Sequence, residues 1–231
     1  GIGLIYDGWL TAQEFEIAKG VSVKFCWIPT GKTMLGSPPE EKKRRENERE
    51  HEYETAGFWL GKYAVSQEQW KGVMGTTPSR FEGANLPVES VSWEDCQQFI
   101  ERCALNKFKL RLPHEDEWEY ACRGGLGNKQ PFYWGDSLNG DKANCDGNSP
   151  YRAKKGTNLG KTTKVGTYEK VALHPWGLCD MHGNVEEWCD NLYIDGSSQR
   201  VFRGGSWCSL SKYCRSAYRE GADPQWPYPY I

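Results

Sequence analysis

The chain has 231 residues with 29 basic and 31 acidic side chains, a length and balance that suit one globular domain and exclude a disordered or collagen-like chain. A net charge of −2 lacks the basic footprint of a nucleic-acid binder, and no apolar run reaches the roughly 20 residues that a membrane-spanning helix needs. The 11 Trp, 12 Tyr and 26 Gly predict a loop-rich fold in which large rings fill irregular gaps and glycines make the turns.

Gly1-Ile2-Gly3-Leu4-Ile5 carries neither an initiator Met nor a complete signal peptide, so the chain is expected to be a mature or trimmed form. Residues 21–29 alternate apolar and polar side chains and stop at Pro29, as an antiparallel strand with one wet face does; residues 31–37 are its expected partner. Residues 40–54 are dense in both charge signs, which predicts a solvated loop or short helix, because mixed signs neutralise locally. Residues 58–63 read as a strand ending at Val65. Ser66 is a good N-cap, with Trp70, Val73 and Met74 at helical spacing before Gly75. Ser92-Trp93-Glu94-Asp95 resembles a capping box, and the apolar face Trp93, Cys96, Phe99, Ile100, Cys103, Ala104 predicts a helix over residues 93–105. A third helix is expected over residues 115–122, closed by Gly124-Gly125, with Trp118, Ala121 and Cys122 inward. Residues 124–176 are mostly turn chemistry, a length of loop that is usually functional or organised by a bound ion.

The 9 cysteines are odd in number and include no Cys-x-x-Cys, against a zinc ribbon or a thioredoxin-type motif. Most read as small buried hydrophobes, Cys96 and Cys103 among them. His51, His114, His174 and His182 form no nucleophile–base or metal-ligand spacing. His114 stands at an N-cap, and His182, beside Gly183, reads as a turn residue.

Several segments together resemble the formylglycine-generating-enzyme (FGE-sulfatase) domain family: Met34-Leu35-Gly36-Ser37, Asn47-Glu48-Arg49, Gly61-Lys62-Tyr63-Ala64-Val65-Ser66, Leu86-Pro87-Val88, Val91-Ser92-Trp93, Arg111-Leu112-Pro113, Glu117-Trp118-Glu119-Tyr120-Ala121, Gly183-Asn184-Val185-Glu186-Glu187-Trp188 and Arg203-Gly204-Gly205-Ser206-Trp207. They run in the family's order from about residue 28 to 219. The resemblance implies an α+β fold of C-type lectin type, irregular, with two or three helices around small antiparallel sheets, and a single domain over residues 1–231. It stops at Ile231, where the family continues into a closing Gly-Phe-Arg strand; losing that strand would expose a sheet edge.

The resemblance also implies structural calcium at Asp180, Gly183, Val185 and Glu187, through an early side chain, main-chain carbonyls and a glutamate. A tight glycine turn can aim such oxygens at one point; a plain turn capped by Asp180 is the alternative. A second family calcium site would use Asn144 and the carbonyl of Cys145, but the carboxylate expected near residues 157–159 is missing.

Family enzymes hold copper between two cysteines in a Cys-x-x-x-x-Cys spacing after Gly-Gly-Ser-Tyr/Trp, and soft thiolates suit monovalent copper. Here Cys208 and Cys214 fall in that region. Counted from Ser206, Cys214 matches the second position, whereas Ser209 occupies the first and Cys208 is displaced by one. No catalytic residue is therefore expected; a formylglycine-generating oxidase using Cys208 and Cys214 is the alternative, and an accessory or regulatory domain is a third reading.

The segment over residues 201–231 resembles the variable region of bacterial diversity-generating-retroelement proteins, which rewrite adenine-containing codons on a fixed C-type lectin scaffold. The candidate ligand-binding residues are Trp207, Cys208, Ser209, Leu210, Tyr213, Tyr218, Glu220, Gly221, Trp226, Tyr228 and Tyr230, with Arg215, Ser216, Ala217, Arg219 and Pro224 as scaffold. A surface rich in Tyr, Trp and Ser gives rigid aromatic contact and adaptable hydrogen bonding, as in antibody paratopes; the same rings could equally pack an irregular segment. The expected protein is a monomeric, non-enzymatic, receptor-like binder of a protein or other macromolecular ligand, with a cell-surface or secreted location favoured over a cytoplasmic one.

Overall fold

The computed structural model describes residues 12–104 and 109–231; the predicted helix end at Leu105 and the opening five residues lie outside them. In chain order come β1 (Gln13–Ala18), β2 (Val21–Ile28), β3 (Gly31–Leu35), β4 (His51–Thr55) and β5 (Phe58–Gly61). Helices α1 (Gln67–Met74), α2 (Trp93–Arg102) and α3 (Glu115–Arg123) follow, then β6 (Glu187–Leu192), β7 (Arg200–Arg203), a 3-10 turn at Ser211–Cys214, and β8 (Glu220–Ala222). The strands make three small antiparallel sheets in the orders β1-β2-β5, β3-β4 and β6-β7-β8.

Strand β2 buries Val21, Val23, Cys26 and Ile28, as its alternation predicts. Its two edges are taken by β1 and β5, so β3 pairs with β4, Gly31 opposite Thr55, instead of with β2 as expected. Two parts of the charged run thus change role. Residues 51–55 are strand, and within residues 40–50 Glu41 and Glu48 are only 7% and 2% exposed. The solvated-loop expectation fails there because Arg215, from the far end of the chain, supplies both carboxylates with a counter-charge.

Local signals at the helix ends are realised. Ser66 with Gln69, and Ser92 with Asp95, close reciprocal capping boxes, and Gly75 ends α1 in the left-handed region at φ 77°, where only glycine is unstrained. His114 caps α3, its Nδ1 accepting from the Asp116 amide at 3.2 Å. α1 and α2 meet through Trp70 and Phe99, stacked at 5.2 Å, in a core with Ile17, Val21, Val23, Val88 and Val91; Cys96 and Cys103 pack at its margin. α3 carries the second core: Trp118, Ala121 and Cys122 are fully buried with Cys26, Ile28, Leu35, Leu178 and Met181. Trp118→Ala would cost about 3–5 kcal/mol, by lost transfer energy and the cavity left behind.

Residues 124–176 fold without long elements around Phe132, Leu138, Ala143, Cys145 and Tyr151. His182 belongs to this unit and is no ordinary turn residue: it is 1% exposed and packs against Phe132, Tyr133 and Trp134 at 4.8–5.3 Å. Its Nδ1–H donates to Cys214 O at 2.7 Å, while Nε2 accepts from the Tyr133 amide at 3.3 Å. Burial lowers its pKa to about 3, so a neutral imidazole staples the loop region to the tail. Among the described residues no helix is long and apolar enough to cross a membrane.

Candidate functional site

The Gly183–Trp188 motif is built as a strained turn feeding β6. Asp180 and Asn184 adopt φ of 59° and 70°, which non-glycine residues hold only where surroundings over-determine them. For Asn184 the surroundings are a full set of bonds: its amide donates to Asn144 O at 2.8 Å, and its Oδ1 accepts from Asn144 Nδ2 and the Thr163 amide. Gly183 has φ 84°, and a Cβ there would lie 2.2 Å from Asn144 O. The turn and the 144–163 loops therefore share one polar core.

Asp180 and Glu187 both face into this region. Asp180 Oδ2 accepts from the Gly166 amide at 2.6 Å, and Glu187 Oε2 accepts from Trp118 Nε1–H at 2.7 Å. Burial raises Asp180 to about 6 and Glu187 to about 7, Asp180 adding to the rise of Glu187. Two carboxyls held out of water within electrostatic reach, with no basic side chain among the described residues paired to either, form an acceptor set that suits a hard cation. Among the described residues no three His, Cys, Asp or Glu side chains converge as metal ligands, so such an ion would need the carbonyls of Gly183 and Val185 as well. At the second candidate position Asn144 Oδ1 is buried without a partner, but the Asn144 amide group is otherwise committed to Lys161 O and Asn184 Oδ1.

Gly204 and Gly205, at φ 93° and 70°, turn the chain out of β7 into the tail, and a Cβ on Gly205 would meet Cys214 Sγ at 2.7 Å. Beyond them a buried frame alternates with outward side chains. Arg215, Ser216 and Ala217 are 1%, 0% and 2% exposed; Arg203 Nη1 ties β7 to the carbonyls of Ser216 and Tyr218, both at 3.0 Å.

The predicted tail residues fall into three neighbouring groups. Ser209 and Tyr230 contact Glu186, with Cys208 and Trp207 next to Ser209 in the chain: Ser209 Oγ donates to Glu186 Oε1 at 3.3 Å, the Glu186 amide donates to Tyr230 O at 2.8 Å, and the Trp207 amide donates to Asn184 O at 2.9 Å. Trp207 packs edge-on against Phe81 at 5.3 Å. Leu210 bridges to Asp146 in parallel. The second group centres on Arg45, which pairs with Glu220 at 2.6 Å and lies over the rings of Tyr218 and Tyr213 at 4.8 and 5.5 Å. Tyr218 itself is 6% exposed, with its hydroxyl on Glu220. Gly221 is closed to any side chain, since a Cβ would lie 2.4 Å from the Tyr193 ring. In the third group Trp226 is 65% exposed beside the start of α2, where Glu94 N donates to Pro224 O. Tyr228 joins it to the first, with ring contacts to Trp188 and Tyr230 at 6.3 and 6.1 Å.

The two thiols of the copper alternative occupy different environments. Cys214 is fully buried, and the interaction of its S–H with the Cys145 sulfur, together with burial, pushes its pKa well up. Cys208 is exposed and sits 3.4 Å from Ser206 Oγ. The thiol that shares a buried cluster with Cys214 is thus Cys145, with Ser211 Oγ 3.3 Å from the Cys145 sulfur.

Three residues, two without a role in the sequence and one expected only as scaffold, organise this region. Arg45 lies in the charged run and Arg215 among the scaffold residues, so neither stood out. Glu186 was visible as the variable position of the Gly183–Trp188 motif, and burial raises its pKa to about 8.

Fold and site together define a C-type-lectin-like α+β scaffold whose closing segment is pinned by buried arginines. The family model for the sulfatase-modifying factor enzyme 1-like domain matches residues 13–231. A chaperone protein LppX of Paenibacillus barcinonensis is 29% identical over 214 residues, covering 70% of this chain and 73% of that protein. An inactive C-alpha-formylglycine-generating enzyme 2 of Mus musculus is 34% identical over 145 residues, or 62% of this chain and 44% of that protein; the matched region is less than half of the mouse relative. Among solved structures, Treponema denticola variable protein 1 superposes with a TM-score of 0.76 at 22% identity, covering 95% of this chain and 96% of that one, a likeness of fold. The chain belongs to the FGE-sulfatase domain family.

Proposed function

We propose that this chain is a non-enzymatic, ligand-binding member of its family, presenting residues 207–230 as a diversified surface to a protein or other macromolecular ligand. The observation that carries this reading is the division of labour in the tail. Arg203, Arg215, Ser216 and Ala217 are buried and fix the backbone, while Cys208, Tyr213, Glu220, Trp226, Tyr228 and Tyr230 reach the surface or its margin. A rigid frame bearing aromatic side chains lowers the ordering cost of binding. Tyr218 and Gly221 act within the frame. The likeness to Treponema denticola variable protein 1 over 95% of the chain supports the same reading. Calcium, held by Asp180, Glu187 and the carbonyls of Gly183 and Val185, would neutralise two buried carboxyls and stiffen the turn beneath that surface; its part is structural.

The test is selection from a random displayed-peptide library on the whole chain. The expected binders lose affinity at least tenfold with Trp226→Ala or Tyr230→Ala; binders indifferent to every substitution in residues 207–230 would overturn the reading. Diversification is tested on the encoding DNA, which is expected to lie near a reverse-transcriptase gene and a template repeat differing at adenines. The oxidase alternative predicts copper-dependent oxygen uptake with a sulfatase-motif peptide. Ser209 stands at the first copper position and Cys208 is displaced from it by one residue, which speaks against it, because a soft-metal pair must converge on one point.

A further inference from the structure

Glu186 is the residue of the Gly183–Trp188 motif that neither the fold nor the ion turn uses. Successive residues entering a strand face opposite ways: Glu187 turns inward to Trp118, and Glu186 turns toward the tail. Glu186 is 8% exposed. Its Oε1 has one partner, the Ser209 hydroxyl at 3.3 Å, and its Oε2 is buried with none. Leaving a carboxyl oxygen out of water without a partner is a costly arrangement for a protein to keep.

Among the described residues no Lys or Arg pairs with Glu186. The nearby arginine, Arg45, is already held by Glu220 and by the rings of Tyr213 and Tyr218. What acts on the carboxyl instead is the Ser209 hydroxyl and the like charge of Glu220. Tyr230 follows through its carbonyl contact with the Glu186 amide, and both Glu186 and the exposed Cys208 act electrostatically on its phenol, which puts the carboxylate just inside the tail surface. Trp207 supplies a second buried, unpartnered polar atom, its Nε1.

We propose that Glu186 is the floor of a cation-recognition subsite that takes the ammonium or guanidinium group of a basic side chain on a peptide ligand. The proposal rests on the reading of residues 207–230 as a binding surface and names the chemistry it selects. An organic cation supplies the N–H donors that Oε2 lacks, in a charge-assisted bond, and offers its flat or apolar part to Trp207 and Tyr230. The Ser209 hydroxyl is the weak neutral partner that it displaces. Trp207 Nε1–H, a donor, suits a neutral carbonyl of the same peptide.

The probe is Nα-acetyl-arginine amide, with Nα-acetyl-citrulline amide as its neutral counterpart, titrated into the 231-residue chain and followed by 15N–1H NMR. The expected result is saturable shifts at the Trp207 indole and at the Ser209 and Tyr230 amides, weakened about tenfold or more for the citrulline probe and for Glu186→Gln. Glu68→Gln, the same substitution at an exposed position on α1, should leave them unaltered. Should Glu186→Gln fold poorly, Glu186→Asp, which keeps the charge and withdraws it by a methylene, should weaken binding in the same sense. Absence of saturable shifts, or equal binding by the Gln variant and the parent, overturns the proposal. If displayed peptides still depend on Trp226 and Tyr230 while the arginine probe moves nothing, the subsite is wrong and the binding surface stands. If the probe binds but selected peptides ignore the tail, the broader reading fails.

Discussion

Replacing Arg215 by Leu should be among the most damaging single changes in the chain, although the residue is polar and lies in the tail. Its guanidinium is 1% exposed and its donors are fully engaged. Nη1 bonds Glu41 Oε1 at 2.5 Å, Glu48 Oε2 at 2.7 Å and Ser37 Oγ at 3.2 Å; Nη2 bonds Glu48 Oε1 at 2.8 Å and Lys43 O at 2.9 Å. Nε–H donates to Lys212 O at 2.9 Å. Leucine fills much of the volume but strands two carboxylates, one of which already has an oxygen without a partner. Breaking a buried pair from one side costs about 3–5 kcal/mol. At a urea slope of about 2 kcal/mol per molar, that lowers the unfolding midpoint by about 2 M. Tryptophan fluorescence against urea at pH 7.5 measures it, with the slope expected to stay constant. Replacing Glu41 and Glu48 together with Gln in the Arg215→Leu background should recover much of the loss, because the stranded charges are then gone. A midpoint drop below about 0.5 M, or no recovery in the triple variant, would refute the reasoning that the cost lies in uncompensated charge.

Four further outcomes are expected. Gly183→Ala, with φ 84° and a Cβ 2.2 Å from Asn144 O, should cost about 3 kcal/mol or more of unfolding free energy in the same assay. Calcium at millimolar concentration should raise the Tm by calorimetry, and Asp180→Asn should abolish most of that rise while leaving the apo Tm nearly unchanged or higher, since it removes a buried carboxyl. The histidines should titrate in opposite senses by imidazole NMR. His51 is raised from 6.5 to about 9, chiefly by its hydrogen bond to Asp116, so its stabilisation is complete below pH 6.5 and is lost as pH rises through about 9. His174, lowered to about 4 by burial, contributes stability above pH 6.5 that is lost as pH falls toward 4; an imidazole signal of His174 already moving at pH 6.5 would contradict its placement. Gly221→Ala should destabilise β8 against Tyr193, a change in midpoint that Ser209→Ala, at the tail surface, should not match.

The helices were legible in the sequence because their signals are local. Ser66 with Gln69, Ser92 with Asp95, and His114 before α3 are caps whose two partners lie three residues apart or fewer. The order of family motifs likewise announced the fold. The sheets were less legible: β2 and β3 were each recognisable as strands, but β2 pairs with β5 across some thirty intervening positions, and nothing in residues 31–37 by themselves distinguishes β2 from β4 as a partner. The charged run was misread for the same reason. Its Glu41 and Glu48 read as solvated until Arg215, 174 and 167 residues away, is placed beside them.

At the candidate site, sequence alone determined the residue types, the acceptor-rich turn of Asp180 and Glu187, and the misplaced cysteine spacing. Tertiary structure decided which of them can act. It buried Cys214 in one cluster with Cys145, sank Tyr218 into the frame, closed Gly221 against Tyr193, and set Glu186, an inconspicuous motif position, under the tail with an oxygen unmet. Spacing along the chain fixes what a turn or helix can do locally. Burial, charge pairing and the approach of two backbones depend on contacts between distant residues, and these exist only once the chain has folded.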